Sequence, residues 1–160
     1  MDCDGVLTDG RIWIIDGNED QKAFNIKDGL GLELLHRAGI KTGIISGRSS
    51  TAVERRASAL GISYVFLGNN DKIGAFEETL TEAGVSSEAV AFIGDDLNDI
   101  PLMRRSALAV AVADACEETR NYAHYVTKLK GGRGAVRETV ELILKAQERW
   151  GKLIDDYLNK

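Results

Sequence analysis

Four short apolar runs constrain this chain more than any other feature. They are Lys41–Ser46 (KTGIIS), Ser63–Leu67 (SYVFL), Ala89–Ile93 (AVAFI) and Leu108–Val112 (LAVAV). Each is strand length and lacks polar alternation, the mark of strands buried on both faces. Helical patterns lie between them. Ser49 or Ser50 caps a helix to Leu60 that Gly61 stops, and Asp71 caps one through Ala83 that Gly84 stops. A third runs over Leu97–Ser106, with Pro101 tolerated in its first turn. Strand and helix in alternation predict a three-layer α/β/α sandwich around a mostly parallel, Rossmann-like sheet. The 160 residues suit a single domain, residues 1–160, without linker or repeat.

The flanks add smaller elements. Arg11–Ile15 and Gln21–Ile26 are β-prone around a Gly-containing turn and read as a hairpin, residues 11–26. Asp28 is placed to cap a helix through about Arg37, with Gly39 as terminator. Glu117–Ala123 reads as a short helix and His124–Thr127 as a short strand. From Ala135 onward, Val136, Val140, Ile143 and Leu144 recur at helical spacing into one long final helix within the tail, residues 131–160.

Composition excludes several classes. Lys and Arg total 20 against 25 Asp and Glu, a net charge of −5 with no footprint for a nucleic acid. Cys3 and Cys116 have no Cys-x-x-Cys spacing and suit a reducing, cytoplasmic setting. No apolar run approaches the roughly 18 residues of a membrane span. His36 and His124 read as structural, and Cys3 as a small core side chain.

In open parallel sheets, ligands bind beyond the carboxyl ends of the strands. The polar residues of this chain concentrate there. Asp2-Cys3-Asp4-Gly5 opens the sequence with two carboxylates and a turn-forming Gly. A calcium loop counted from Asp2 fails, because its twelfth position is Trp13 where a bidentate Glu is required. Ser46-Gly47-Arg48 sets a hydroxyl directly after a strand, suited to a phosphoryl oxygen or to a helix cap. Lys72 stands at a helix start, where the dipole does not favour a cation. Gly94-Asp95-Asp96-Leu97-Asn98-Asp99 runs from a strand into three acids, a donor set for a hard cation.

In that order, these pieces resemble the haloacid dehalogenase-like phosphohydrolase superfamily over nearly the whole chain. The resemblance implies Asp2 as nucleophile, Asp4 as general acid/base, and Ser46 and Lys72 as phosphate-holding residues. It implies Mg2+ bound by Asp2, the Asp4 carbonyl and Asp95, with Asp96 and Asp99 in support. The 41 residues between Asp4 and Ser46 and the 25 between Ser46 and Lys72 leave no room for a cap domain. A finer resemblance lies in Asp9-Gly10, Lys22–Gly29, Val110–Ala115 and Gly131–Glu138. These look like the capless 3-deoxy-D-manno-octulosonate 8-phosphate phosphatases. That family is tetrameric, and the likeness implies that the hairpin of one subunit covers the site of the next. It also implies a role in making a lipopolysaccharide precursor.

Arg48, where relatives acting on nine-carbon sugar acids carry Glu, points to the eight-carbon substrate, a guanidinium suiting its carboxylate. Gly47, Asp9 and Arg133 complete the expected substrate contacts, Arg133 from a mobile tail entry at Gly131–Gly134. Two rivals stand beside this reading. One is a phosphatase of nine-carbon sugar-acid 9-phosphates. The other is a non-catalytic phosphatase-like oligomerisation module of a sugar-acid nucleotidyltransferase. The family leads an apolar strand into its acid pair, whereas only Met1 precedes Asp2 here, so the sequence is expected to be trimmed at its N-terminus.

Overall fold

In a computed structural model, residues 1–14 and 20–159 are described. A small antiparallel pair comes first, β1 (Trp13–Ile14) with β2 (Asp20–Gln21), its turn lying outside the described residues. The remaining elements alternate. They are α1 (Ile26–Arg37), β3 (Gly43–Ile45), α2 (Thr51–Leu60), β4 (Tyr64–Phe66), α3 (Lys72–Ala83), β5 (Ala91–Gly94), α4 (Ile100–Met103), β6 (Leu108–Ala111), α5 (Glu117–Asn121), β7 (Tyr125–Val126), α6 (Ala135–Ala146) and α7 (Trp150–Leu158).

The sheet falls into two parallel pieces, β3–β4 and β5–β6–β7. Met1 and Asp2 bridge them. The Met1 amino group donates to the Gly43 carbonyl at 3.1 Å, and Ile45 N–H donates to Met1 O at 3.0 Å. On the other side Asp2 N–H donates to Ile93 O at 2.9 Å. The order across the sheet is therefore β4, β3, Met1–Asp2, β5, β6, β7. Helices pack on it in pairs, α1 with α6 and α3 with α4, in the layered α/β/α arrangement expected. Among the described residues there is no separate cap domain.

Caps follow the sequence grammar in the middle of the chain. Ser50, not Ser49, caps α2 by accepting from Val53 N–H, and Asp71 caps α3 by accepting from Gly74 N–H. Gly61 and Gly84 end these helices in the left-handed conformation. Three expectations fail. Asn25, not Asp28, caps α1; Asp28 lies buried inside the helix and accepts from Gly134 N–H at 3.2 Å and Arg137 N–H at 2.8 Å. It serves the free amides at the start of α6 instead. Burial raises the Asp28 pKa, and those backbone bonds counter it. The helix expected over 97–106 is a short 3-10 turn, Leu97–Asp99, followed by α4 alone. The single final helix is two, separated at Glu148, which has φ 58°.

Candidate active site

Asp2, Asp4, Ser46, Gly47, Arg48, Lys72, Asp95 and Asp96 line one pocket of about 140 Å³ at the carboxyl ends of the strands. They come from four separate segments, and all were legible as chemistry-bearing. Asn98 lines it too, a residue that the sequence marks only as part of the acidic motif.

Asp2 and Lys72 form the buried centre. Lys72 Nζ donates to Asp2 Oδ1 at 2.7 Å and to Asp99 Oδ1 at 2.7 Å. Burial works against the Lys72 charge, but the two carboxylates outweigh it and raise its pKa. A cation unfavourable at a helix start is thus retained by two anions. Asp99 is fully buried and turns its other oxygen, Oδ2, toward the backbone, accepting from Asp95 N–H at 3.0 Å. Asp96 is exposed and begins the 3-10 turn. Of the two acids expected in support, Asp99 is the one that ties the site together.

The acids crowd one another. One carboxylate oxygen each from Asp2, Asp95 and Asp99 can lie within 4.8 Å of the others. Burial, with the charges of Asp2, Asp99 and Asp96, pushes the Asp95 pKa up to about 8. Burial and Asp99 push that of Asp2 up to about 6, against the pull of Lys72. Three hard oxygen donors held this close, with Asp99 already occupied, are the donor set of a divalent cation.

Ser46 is buried, and its Oγ accepts from Arg48 N–H at 3.3 Å. Because Ser50 performs the capping of α2, the Ser46 side chain faces the pocket rather than the helix end. Arg48 is exposed at the mouth, with Nε 3.9 Å from Asp4 Oδ2. Lys22, at the return of the hairpin, ion-pairs with Asp4 Oδ1. The sequence offers one signal for Lys22, a basic residue inside the Lys22–Gly29 segment that carries the family resemblance.

Asp9 and Arg133 do not reach this pocket. They pair with each other, Arg133 Nη2 to Asp9 Oδ2 at 3.2 Å. The tail entry, expected to be mobile, packs backbone to backbone on the acid loop. Gly132 N–H donates to Val6 O at 2.9 Å, and Gly131 N–H to Asp114 Oδ1 at 3.0 Å. A Cβ on Gly131 would sit 1.6 Å from Gly5 O, and one on Gly5, whose φ is +95°, 2.0 Å from Asp95 Oδ2. Those glycines are required by close approach. His36 bonds Thr42 Oγ1 at 2.7 Å and His124 Nδ1 accepts from Ala109 N–H at 2.9 Å, both structural as expected.

Residues 65–138 match the family model of haloacid dehalogenase-like hydrolases. The chain is 47% identical over 148 residues to the 3-deoxy-D-manno-octulosonate 8-phosphate phosphatase of Yersinia pestis, covering 92% of this chain and 79% of that protein. It is 44% identical over 153 residues to the phosphatase of the same name from Escherichia coli K12, covering 96% and 80%. A crystal structure of the Moraxella catarrhalis phosphatase of that name, in complex with magnesium ion, phosphate ion and KDO, superposes with a TM-score of 0.95. Its identity is 43%, covering 98% of this chain and 90% of that one.

Proposed function

The chain belongs to the family of 3-deoxy-D-manno-octulosonate 8-phosphate phosphatases within the haloacid dehalogenase-like hydrolases, and from that premise we propose how its residues carry out the reaction. The reaction is the Mg2+-dependent hydrolysis of 3-deoxy-D-manno-octulosonate 8-phosphate to the free sugar acid and phosphate, a step in making a lipopolysaccharide precursor. The observation that carries the residue assignment is the Lys72 bridge, which holds Asp2 buried beside Asp95 in a pocket that also contains Asp4 and Ser46.

Asp2 is the nucleophile. Its carboxylate attacks phosphorus opposite the leaving sugar oxygen, forming an aspartyl-phosphate as the ester P–O bond breaks. Asp4 donates its proton to the departing alkoxide, then takes a proton from the water that attacks the intermediate, releasing phosphate and restoring Asp2. Lys72, the Ser46 hydroxyl and the Gly47 amide hold the nonbridging oxygens as charge redistributes. Asp2, Asp95 and the Asp4 carbonyl would hold Mg2+, which when bound neutralises the carboxylate and phosphate charges that otherwise repel. Asp99 positions Lys72 and the Asp95 backbone, and Asp96 borders the metal site.

Arg48 at the mouth recognises the substrate carboxylate by a bidentate pair. Asp9 and Arg133 act at a distance, keeping the tail on the acid loop, unless a neighbouring subunit draws Arg133 away. Ile12 and Trp13 are exposed at 36% and 57%, an apolar surface that supports a homotetramer in which the hairpin covers a neighbour's pocket. Residues 1–160 then act as one domain, 11–26 serving as the intersubunit ribbon and 131–160 as the closing tail. Among the described residues no helix is long and apolar enough to cross a membrane, and a cytoplasmic location suits the two free cysteines.

The test is phosphate release from a panel of eight- and nine-carbon sugar-acid phosphates, with and without Mg2+. Mg2+-dependent turnover with preference for the eight-carbon ester is expected. Preference for a nine-carbon ester overturns the role of Arg48, and no turnover on any ester would leave the oligomerisation module.

A further inference from the structure

The side chain of Lys22 is fully buried, and its ammonium ion-pairs with Asp4 Oδ1. Lys22 does not line the polar pocket, whereas Asp4 does. It therefore stands behind Asp4, out of reach of a bound ester. We propose that Lys22 is a positioning residue for the reaction, which occupies Asp4 Oδ1 and so confines the working proton of Asp4 to Oδ2. This role rests on Asp4 acting as general acid/base, as assigned above.

Three observations support it. The first is the donor chemistry. An ammonium has three donors and no acceptor. A proton on Oδ1 would face an N–H of Lys22, so Asp4 carries its proton on the other oxygen. The second is orientation. The Asp4 side chain is 19% exposed, and Oδ2 is the oxygen on the side of Arg48, 3.9 Å from its Nε at the pocket mouth. The oxygen tied by Lys22 is thus the inner one, and the other faces the entering sugar. In the first half-reaction the Oδ2–H bond breaks, and its proton goes to the sugar oxygen as the ester P–O bond breaks. In the second, Oδ2 takes a proton from the water whose oxygen bonds phosphorus and displaces Asp2. One oxygen serves both steps without rotation of the carboxyl.

The third observation is how Lys22 is held. A lysine side chain has much rotamer freedom to lose, and it positions a partner only when its backbone is fixed. Here both flanks are fixed. Gln21 pairs with Trp13, and β2 packs on α2. On the other side Phe24 packs against the core, with the Arg56 guanidinium 5.9 Å from its ring centroid, and Asn25 caps α1.

The experiment uses the full chain with Mg2+ and two esters. One is the eight-carbon sugar-acid phosphate, whose alkoxide needs a proton to leave. The other is p-nitrophenyl phosphate, whose phenolate leaves without one. Lys22→Met should lower kcat on the sugar ester by about tenfold or more, with KM changed by less than about twofold. On the aryl ester the first turnover, read as a burst of nitrophenolate, should keep the parent rate. Only the steady state after it should slow, because hydrolysis of the aspartyl-phosphate still needs Oδ2. In an Asp4→Asn background, Lys22→Met should cost nothing further. Equal first-turnover losses on both esters would make Lys22 a staple of the hairpin and overturn the role. Unchanged kinetics, a raised KM with kcat intact, or a loss that adds to that of Asp4→Asn would overturn it too. A parent chain that turns over neither ester would overturn the assignment of Asp4 and this role with it, whereas an active parent with any of those patterns overturns Lys22 alone. If circular dichroism shows Lys22→Met unfolded, Lys22→Gln, which keeps a donor in the same space, should give the same pattern with a smaller loss.

Discussion

The polar rim and an apolar slot of about 440 Å³ between β3 and β5 lie on the same strands, a few residues apart, and are built in opposite ways. At the rim every buried charge is tied. Lys72 answers Asp2 and Asp99, and Asp99 also accepts from the backbone of Asp95. In the slot, apolar walls from α1, α3 and α6 face a void. The difference reflects the cost of each error. An unpaired buried carboxylate costs several kcal/mol, whereas a wall residue facing a void forfeits dispersion contacts that are individually small. Rim substitutions should therefore be severe and slot substitutions mild.

The sharpest break comes at the nucleophile. Asp2→Asn should lower kcat by about a thousandfold or more while circular dichroism and the thermal midpoint stay close to those of the parent. Turnover near the parent rate would remove Asp2 from its role. Lys72→Met should be next, destabilising the chain by about 3–5 kcal/mol in urea unfolding, because it leaves two carboxylates buried without a cation. A loss below about 1 kcal/mol would mean that the bridge is worth no more than a surface pair. The slot is then probed against the filled core. Leu102→Ala, at a fully buried position away from the slot, should cost about 2–5 kcal/mol. Leu32→Ala, equally apolar but facing the void, should cost about half as much. Equal costs would show that the slot wall is as well packed as the core.

A smaller effect follows from the crowded acids. Folded Asp95 holds its proton up to about pH 8 and Asp2 up to about pH 6, against 3.8 for either carboxyl in the unfolded chain. The folded chain therefore binds protons that the unfolded chain has released, and metal-free stability falls as pH rises across that window. The midpoint should drop between about pH 5 and about pH 8 without Mg2+, and Mg2+ should protect most at the alkaline end, where its ligands are ionised. A metal-free midpoint that climbs with pH would contradict this. Smallest of all, Arg48→Glu should shift kcat/KM by about tenfold toward nine-carbon esters, measured as a ratio within one preparation.

What could be read in the sequence depended on how local the cause was. Ser46 and Asp95 follow strand-like runs and Lys72 opens a helix, so pattern alone places them on one rim, whereas Asp2 and Asp4 are legible through their spacing and the Gly that follows. Ser50, Asp71, Gly61 and Gly84 punctuate helices by rules that act within a few residues. Asp28 obeys the same cap grammar but spends its carboxylate on α6, a partner distant in the chain. Lys22 reaches Asp4 only because the hairpin folds back. Asp96 and Asp99 are the same residue type three positions apart, and only the 3-10 turn decides that Asp99 points inward. The apolar spacing beyond Ala135 gives no warning of the break at Glu148, past which Leu153 is buried and Trp150 packs on the core while Ile154, Tyr157 and Leu158 are exposed.

The contact of Gly131 and Gly132 with the loop of Gly5 and Val6 sets an order of assembly. The acid loop is synthesised before the stretch that clamps its backbone, and all of β3 to β7 lies between the two. Loop closure over that distance is entropically expensive and comes late in folding. A nascent chain can lay down most of its parallel sheet before its nucleophile is locked in place. Catalytic competence would then wait on the segment around Gly131, and a ribosome-stalled fragment ending before it would have the acids without the clamp.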